Sequence, residues 1–220
     1  MKYLFAEEEF ITLLALAGQK NMYMFCQEED LSEASIVSSV AELYRRKLVA
    51  PREGKMVLSG EMAELVEIMS SSRHAVMVTF AEENFGQQII YPGRGERAVV
   101  MEKQTGSGRP VIKLWPARAE EYVRDLLEEE RFPRSLTTGR EEAAALEKTA
   151  LKERPEGYGP EDVSVEIRRL GEGSDRRIDV FRSPVFTWIH IDTGDQDSYH
   201  VYSAEEIAGL LLSEIKGEEI

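Results

Sequence analysis

Between His190 and His200 the chain reads HIDTGDQDSYH, placing two imidazoles and three carboxylates within eleven residues. Imidazole nitrogens and carboxylate oxygens are ligands for divalent metals, so this stretch is the first candidate for chemistry. Asp and Gly are equally the residues of tight turns, and TGDQ between two strand-like runs reads as a hairpin tip. Strand alternation puts His190 and Asp192 on one face and Ile189 and Ile191 on the other. The hairpin explains each of these residues without a metal, and neither a metal nor a cofactor is expected.

Other groups give less. Asp192-Thr193-Gly194 matches the DTG of aspartic proteases, where two carboxylates from two lobes share a proton. Asp195 stands where that family has Ser or Ala, and the first half of the chain holds no second DTG. The pairs Gly93/Gly95 and Gly106/Gly108 resemble phosphate loops. A phosphate cradle needs a helix N-terminus directly after its glycines, whereas strands follow here, so hairpin turns are expected. Cys26 is the single cysteine, which rules out an intramolecular disulfide and a cysteine-based zinc site, and an inert thiol is the default. No serine occupies a G-x-S-x-G elbow. The chain is expected not to be an enzyme.

Two sets of residues suit binding. Arg45, Arg46 and Lys47 end a predicted helix, where they could meet phosphates or simply oppose the helix dipole. Residues 1–80 carry 8 basic and 12 acidic side chains, a balance of −4, and Gln27-Glu28-Glu29-Asp30 would repel a DNA backbone. Trp115 and Trp188 end or interrupt strands in the two matching strand-rich repeats. An exposed one of the pair would serve as an anchor for a partner, since large aromatics lead at interfaces.

The elements that must position these residues fall into two halves. At 220 residues the chain can form one large or two modest domains, and its net charge of −14 works against loose binding to nucleic acid or anionic membranes. No run approaches the roughly 20 apolar residues of a bilayer span, and Glu7, Glu8 and Glu9 interrupt any signal-peptide core. A cytoplasmic protein is expected. Over residues 1–72 the period is helical. Phe10, Leu13, Leu14 and Leu16 share a face of AEEEFITLLALAG, with Gly18 as its stop. QKNMYMFCQEED is a loop or short helix. Ser32 caps SEASIVSSVAELYRRKLV, in which Ile36, Val37, Val40, Leu43 and Tyr44 follow the 3.6-residue period. LVAPREGKMVLSG is a hairpin turning at Glu53-Gly54, and Ser59 is placed to cap GEMAELVEIMSSS. Helix, helix, two-stranded wing, helix: this order resembles a winged helix-turn-helix.

From residue 73 the period changes to two. HAVMVTF, GQQIIYPG, RAVVMEKQ and PVIKLWP are four strands, followed by the helix AEEYVRDLLEEE. VSVEIRRL, RRIDVFRSP, VFTWIHID and SYHVYSA are four more, followed by AEEIAGLLLSEIKG. The two helices agree at five of nine opening positions, AEEYVRDLL against AEEIAGLLL. An internal duplication of a ββββα unit explains this, with copies at 73–130 and 162–217 inside a domain 73–220. A connector at 131–161 carries a further predicted helix near 140–154. The fold class is therefore α+β: a winged-helix-like helical part, then two ββββα quasi-repeats forming an antiparallel sheet with flanking helices.

The passage SEASIVSSVAELYRRKLVAPREGKMVLSGEMAELVEIMSSSRHAVMV, preceded by a helix and followed by two strand-rich quasi-repeats, also resembles a family as a whole. Its layout is similar to that of the EspG-like substrate-specific chaperones of type VII (ESX) secretion. The resemblance implies a role and transfers no binding residues: a non-enzymatic cytoplasmic adaptor or chaperone whose partner is a small helical secreted protein. The alternative is a winged-helix transcriptional regulator with a C-terminal sensor domain, contacting DNA through Arg45, Arg46 and Lys47.

Overall fold

The computed structural model describes residues 1–19, 21–22, 25–26, 31–81, 86–104, 110–133, 159–171, 176–182 and 187–218. The helix expected near 140–154 and the Gly106/Gly108 turn lie outside them. The architecture is α+β, with a nine-stranded antiparallel sheet, two small hairpins and five helices among the described residues.

Strand β1 (Tyr3–Ala6) opens the chain and leads directly into α1 (Glu7–Leu16). The short strands β2 (Asn21–Met22) and β3 (Phe25–Cys26) pair with each other. A loop or a helix was the expectation here, and a hairpin is found. Helix α2 (Glu33–Arg45) follows, with the Ser32 hydroxyl accepting from the Ser35 amide at 3.2 Å as an N-cap. Strands β4 (Val49–Arg52) and β5 (Lys55–Leu58) form the expected hairpin. Its tip has Glu53 at φ 53° and Gly54 at φ 76°, the two left-handed residues of a type I′ turn. Helix α3 (Gly60–Ser71) comes next. Ser59 does not cap it through its side chain; its hydroxyl donates to the Lys47 carbonyl at 2.6 Å and ties the hairpin to the end of α2.

The first meander is β6 (His74–Phe80), β7 (Gln87–Pro92), β8 (Arg97–Gln104) and β9 (Val111–Arg118), followed by α4 (Ala119–Glu128). After a 3-10 turn at Pro160–Asp162 the second runs through β10 (Val163–Gly171), β11 (Arg177–Arg182), β12 (Thr187–Asp192) and β13 (Asp197–Val201), followed by α5 (Ala204–Lys216). The spatial order is β1-β9-β8-β7-β6-β10-β11-β12-β13. The first strands of the two meanders are therefore neighbours, in register from Val165 opposite Phe80 to Gly171 opposite His74.

Period-two side chains divide the sheet into two faces. On one, Val76, Val78, Ile90, Val100, Val165, Ile167, Ile178, Val180, Ile189 and Ile191 form a core with α4 and α5, which lie against each other. On the other face, Met77, Ile89, Tyr91, Val99, Met101, Ile112 and Leu114 form a second core with β1, α1, α3 and Leu43 of α2. β6 is apolar on both faces, as a central strand covered from both sides must be. The helical N-terminal segment thus packs on the first meander and contributes an edge strand to the shared sheet. No helix among the described residues is long and apolar enough to cross a membrane.

Candidate functional site

Helix α2 departs from the burial its period suggests. Among its residues only Ser39 and Leu43 are buried, while Ile36, Val37 and Tyr44 are 42 %, 64 % and 55 % exposed. Ala34 and Ala41 are exposed as well. Positions 37, 41 and 44, and 36, 40 and 44, fall three and four apart, so these side chains stand as neighbours on one helical face. The apolar stripe is therefore wider than its contact: Leu43, two turns on from Ile36, holds one edge to the core, and Val37, Ala41 and Tyr44 at the other edge face solvent.

The basic residues at its end are mostly committed elsewhere. Arg46 donates from Nη2 to the Leu4 carbonyl at 2.7 Å and from Nη1 to Glu9 at 3.2 Å. Its guanidinium lies 5.0 Å from the Phe5 ring centroid. Leu4 belongs to the edge strand, so Arg46 and Glu9 occupy backbone groups that would otherwise template another strand; Glu9 also accepts from the Ala6 amide at 3.0 Å. Arg45 is held bidentately by Glu42 at 2.9 and 2.7 Å and remains 76 % exposed. Lys47 is exposed and left-handed, with φ 60°.

The two tryptophans differ. Trp115 on β9 is half-buried, with the ammonium groups of Lys2 and Lys113 each 5.1 Å from its ring centroid. Trp188 on β12 is fully buried, with Phe181 stacked on it at 4.2 Å and an interplanar angle of 4°. As placed, Trp188 offers no surface to a partner.

HIDTGDQDSYH forms the β12–β13 hairpin. Asp192 accepts from the Gly194 amide at 2.7 Å and Thr193 donates its amide to the Gln196 carbonyl at 3.1 Å, a local turn network. His190 lies between Asp179 of β11, at 3.7 Å from Nδ1, and Asp197 of β13, at 2.8 Å from Nε2. Its ring stacks on Tyr199 at 5.0 Å. Asp179 and then Asp197 hold the imidazole above its ordinary range against the opposing effect of partial burial. His200 does not join them; it contacts Glu206 at 3.5 Å and Ser198 at 3.2 Å. No group of three or more His, Cys, Asp or Glu side chains placed to hold a metal occurs among the described residues.

Two clusters escaped the sequence reading. Glu166, Asp179, His190 and Tyr199 are consecutive partners across β10–β13 and form one polar row. The signal was Asp179 inside the apolar run RIDVF. The second centres on Glu214 of α5, 1 % exposed, which pairs with Arg176 at 2.8 Å and Arg169 at 3.9 Å. Beside it the His74 Nε2 meets the Glu214 carbonyl at 3.1 Å. A carbonyl only accepts, so Nε2 carries the proton. Burial, and then the charge of Arg169, keep His74 below the usual histidine range. The signal was Glu214 sharing a helical face with Ile207 and Leu211, both fully buried.

No protein-family model matches the chain, and no curated protein matches it.

Proposed function

We propose that this protein is a non-enzymatic protein-binding adaptor or chaperone that receives a helical partner on the exposed apolar face of α2. The observation that carries the reading is the run of Ile36, Val37, Ala41 and Tyr44 open to solvent on a well-capped helix. Apolar side chains at helical spacing are how helices seat against one another. The layout resemblance to EspG-like chaperones supplies the kind of partner: a small helical secreted protein of a type VII-like system, met in the cytoplasm. The same proposal takes β6–β9–α4 and β10–β13–α5 as duplicated ββββα units, since each meander is followed by one helix and their first strands adjoin. It takes α2–β4–β5–α3 as a winged-helix-like module turned to protein binding.

The regulator alternative is less well supported. A helix that reads DNA presents donors and cations to base edges and phosphates. Here the outward face is apolar, Arg46 is engaged with Glu9 and Leu4, and Arg45 is engaged with Glu42. The test is tagged capture from native lysate, with mass spectrometry and a nucleic-acid stain, for the wild type and for a Val37→Asp, Tyr44→Asp variant. A stoichiometric small helical protein is expected with the wild type and not with the variant. Enriched DNA lost at moderate salt, or capture that the two substitutions leave unchanged, overturns the reading.

A further inference from the structure

The outward face of α2 has an order along its length that seating a partner does not by itself require. Glu33, Val37, Ala41 and Arg45 recur four apart, so they stand in one row along the helix, and all four are exposed. The row begins with an acid and ends with a base, and between them a large apolar residue precedes a small one. Read from the other end it runs Arg, Ala, Val, Glu. Laid antiparallel on itself about a twofold axis level with Ser39, the row sets Glu33 of each copy beside Arg45 of the other, and Val37 beside Ala41. The flanking positions follow suit: Ala34 comes level with Tyr44, again small against large. From Glu33 to Arg45 is about 18 Å at 1.5 Å per residue. Both ends stay within side-chain reach when the two helices cross at about 20°.

We propose that in the free protein the outward face of α2 is covered by α2 of a second copy of this chain, in an antiparallel, twofold-symmetric pair. The charged ends are available for it. Glu33 makes no ion pair among the described residues. Arg45 engages Glu42 through Nε and Nη2, which leaves Nη1 for the carboxylate of the second copy. A parallel pair would instead set Glu33 against Glu33 and Arg45 against Arg45, so the charges select the antiparallel sense. The pairing rests on the reading of this face as a docking surface and adds what occupies it before a partner arrives. One helix from each copy buries less than the roughly 1,200 Å2 at which stable interfaces begin, so the pair is weak and a partner helix displaces it. Until then it keeps Val37 and Tyr44 from indiscriminate contacts.

The test is sedimentation velocity on the purified full chain at physiological salt, from about 5 µM to about 500 µM. The wild type is expected to dimerise reversibly with Kd of about 10–300 µM. Glu33→Arg alone and Arg45→Glu alone each place like charges at both ends of the pair, and each should self-associate at least about tenfold more weakly. Both should melt with the wild type, since the two side chains are exposed. Mixed in equal amounts, the two variants again bring opposite charges together at both ends and should form a heterodimer with about the wild-type affinity. A wild type that stays monomeric at about 500 µM overturns the proposal. So does a dimer that neither reversal weakens, which would pair through another surface, or a mixture of the two variants that remains monomeric. Capture of a helical partner from lysate is read separately, so a monomeric wild type strikes the self-pairing alone, and capture unaffected by Val37→Asp, Tyr44→Asp strikes the docking face.

Discussion

Glu214→Ala removes the carboxylate that faces two guanidinium groups inside the protein. Glu214 is 1 % exposed, while the Arg176 and Arg169 side chains are 12 % and 20 % exposed. Removing one partner of a buried ion pair costs about 3–5 kcal/mol, because the remaining charge stays desolvated. The second contact, at 3.9 Å, is the weaker, and both arginines retain some access to water, so the lower end applies, about 3 kcal/mol. For a chain of this size each kcal/mol moves Tm by about 2–4 °C, giving a drop of roughly 6–12 °C. Glu214→Gln keeps the shape and one hydrogen bond, so it should fall between alanine and the wild type. Replacing all three residues by apolar ones, Arg169→Met, Arg176→Met and Glu214→Leu, should be less harmful than Glu214→Ala alone, since no charge is left stranded. Thermal melts followed by far-UV circular dichroism, with urea unfolding as a check, read all four proteins. A Glu214→Ala protein melting within about 2 °C of the wild type would refute the reasoning, as would a triple variant less stable than the single one.

Other perturbations follow from the same geometry. Trp188→Ala should cost about 3–5 kcal/mol, because the indole is fully buried against Phe181, and urea unfolding measures it. Val37→Asp with Tyr44→Asp should change stability by no more than about 0.5 kcal/mol per site, since both side chains are exposed; a collapse in Tm would show that the helix face packs inside the protein. Arg46→Ala should free the Leu4 carbonyl at the sheet edge and promote concentration-dependent association, readable by light scattering, whereas Arg45→Ala should not. His190 is held above its ordinary range in the folded state, so its contribution is fully present below about pH 6.5 and is lost as pH rises through the folded value. The stability difference between wild type and His190→Gln should therefore be greatest at mildly acid pH and shrink above neutrality. A difference independent of pH would contradict that assignment.

Strand positions were legible because period-two runs are bounded by turn residues, as in GQQIIYPG followed by GRGE. The β4–β5 hairpin was legible in Glu53-Gly54, whose left-handed backbone suits only a few residues. Strand β1 was not: Tyr3–Ala6 runs straight into Glu7, Glu8 and Glu9, which mark a helix start and mask the short extended segment before them. The neighbouring of β6 and β10 was not legible either. Alternation tells which side chains share a face but not which strand lies beside which across some 90 residues. On α2 the helical period was correct and its meaning was not, because only one edge of the apolar stripe reaches the core, through Leu43, and the rest faces water. Likewise Arg46 reads as a free cation from its neighbours Arg45 and Lys47, and only the approach of Glu9 and Leu4 from far along the chain engages it.

The central claim is that the outward face of α2 seats a helical partner. A photo-crosslinking amino acid placed at Val37 in the producing cell, with the same group at exposed Glu120 as control, tests it most directly. The account predicts a discrete adduct from position 37, containing a helical segment of a small protein, and none from position 120. Adducts to DNA, or equal and diffuse labelling from both positions, would contradict it.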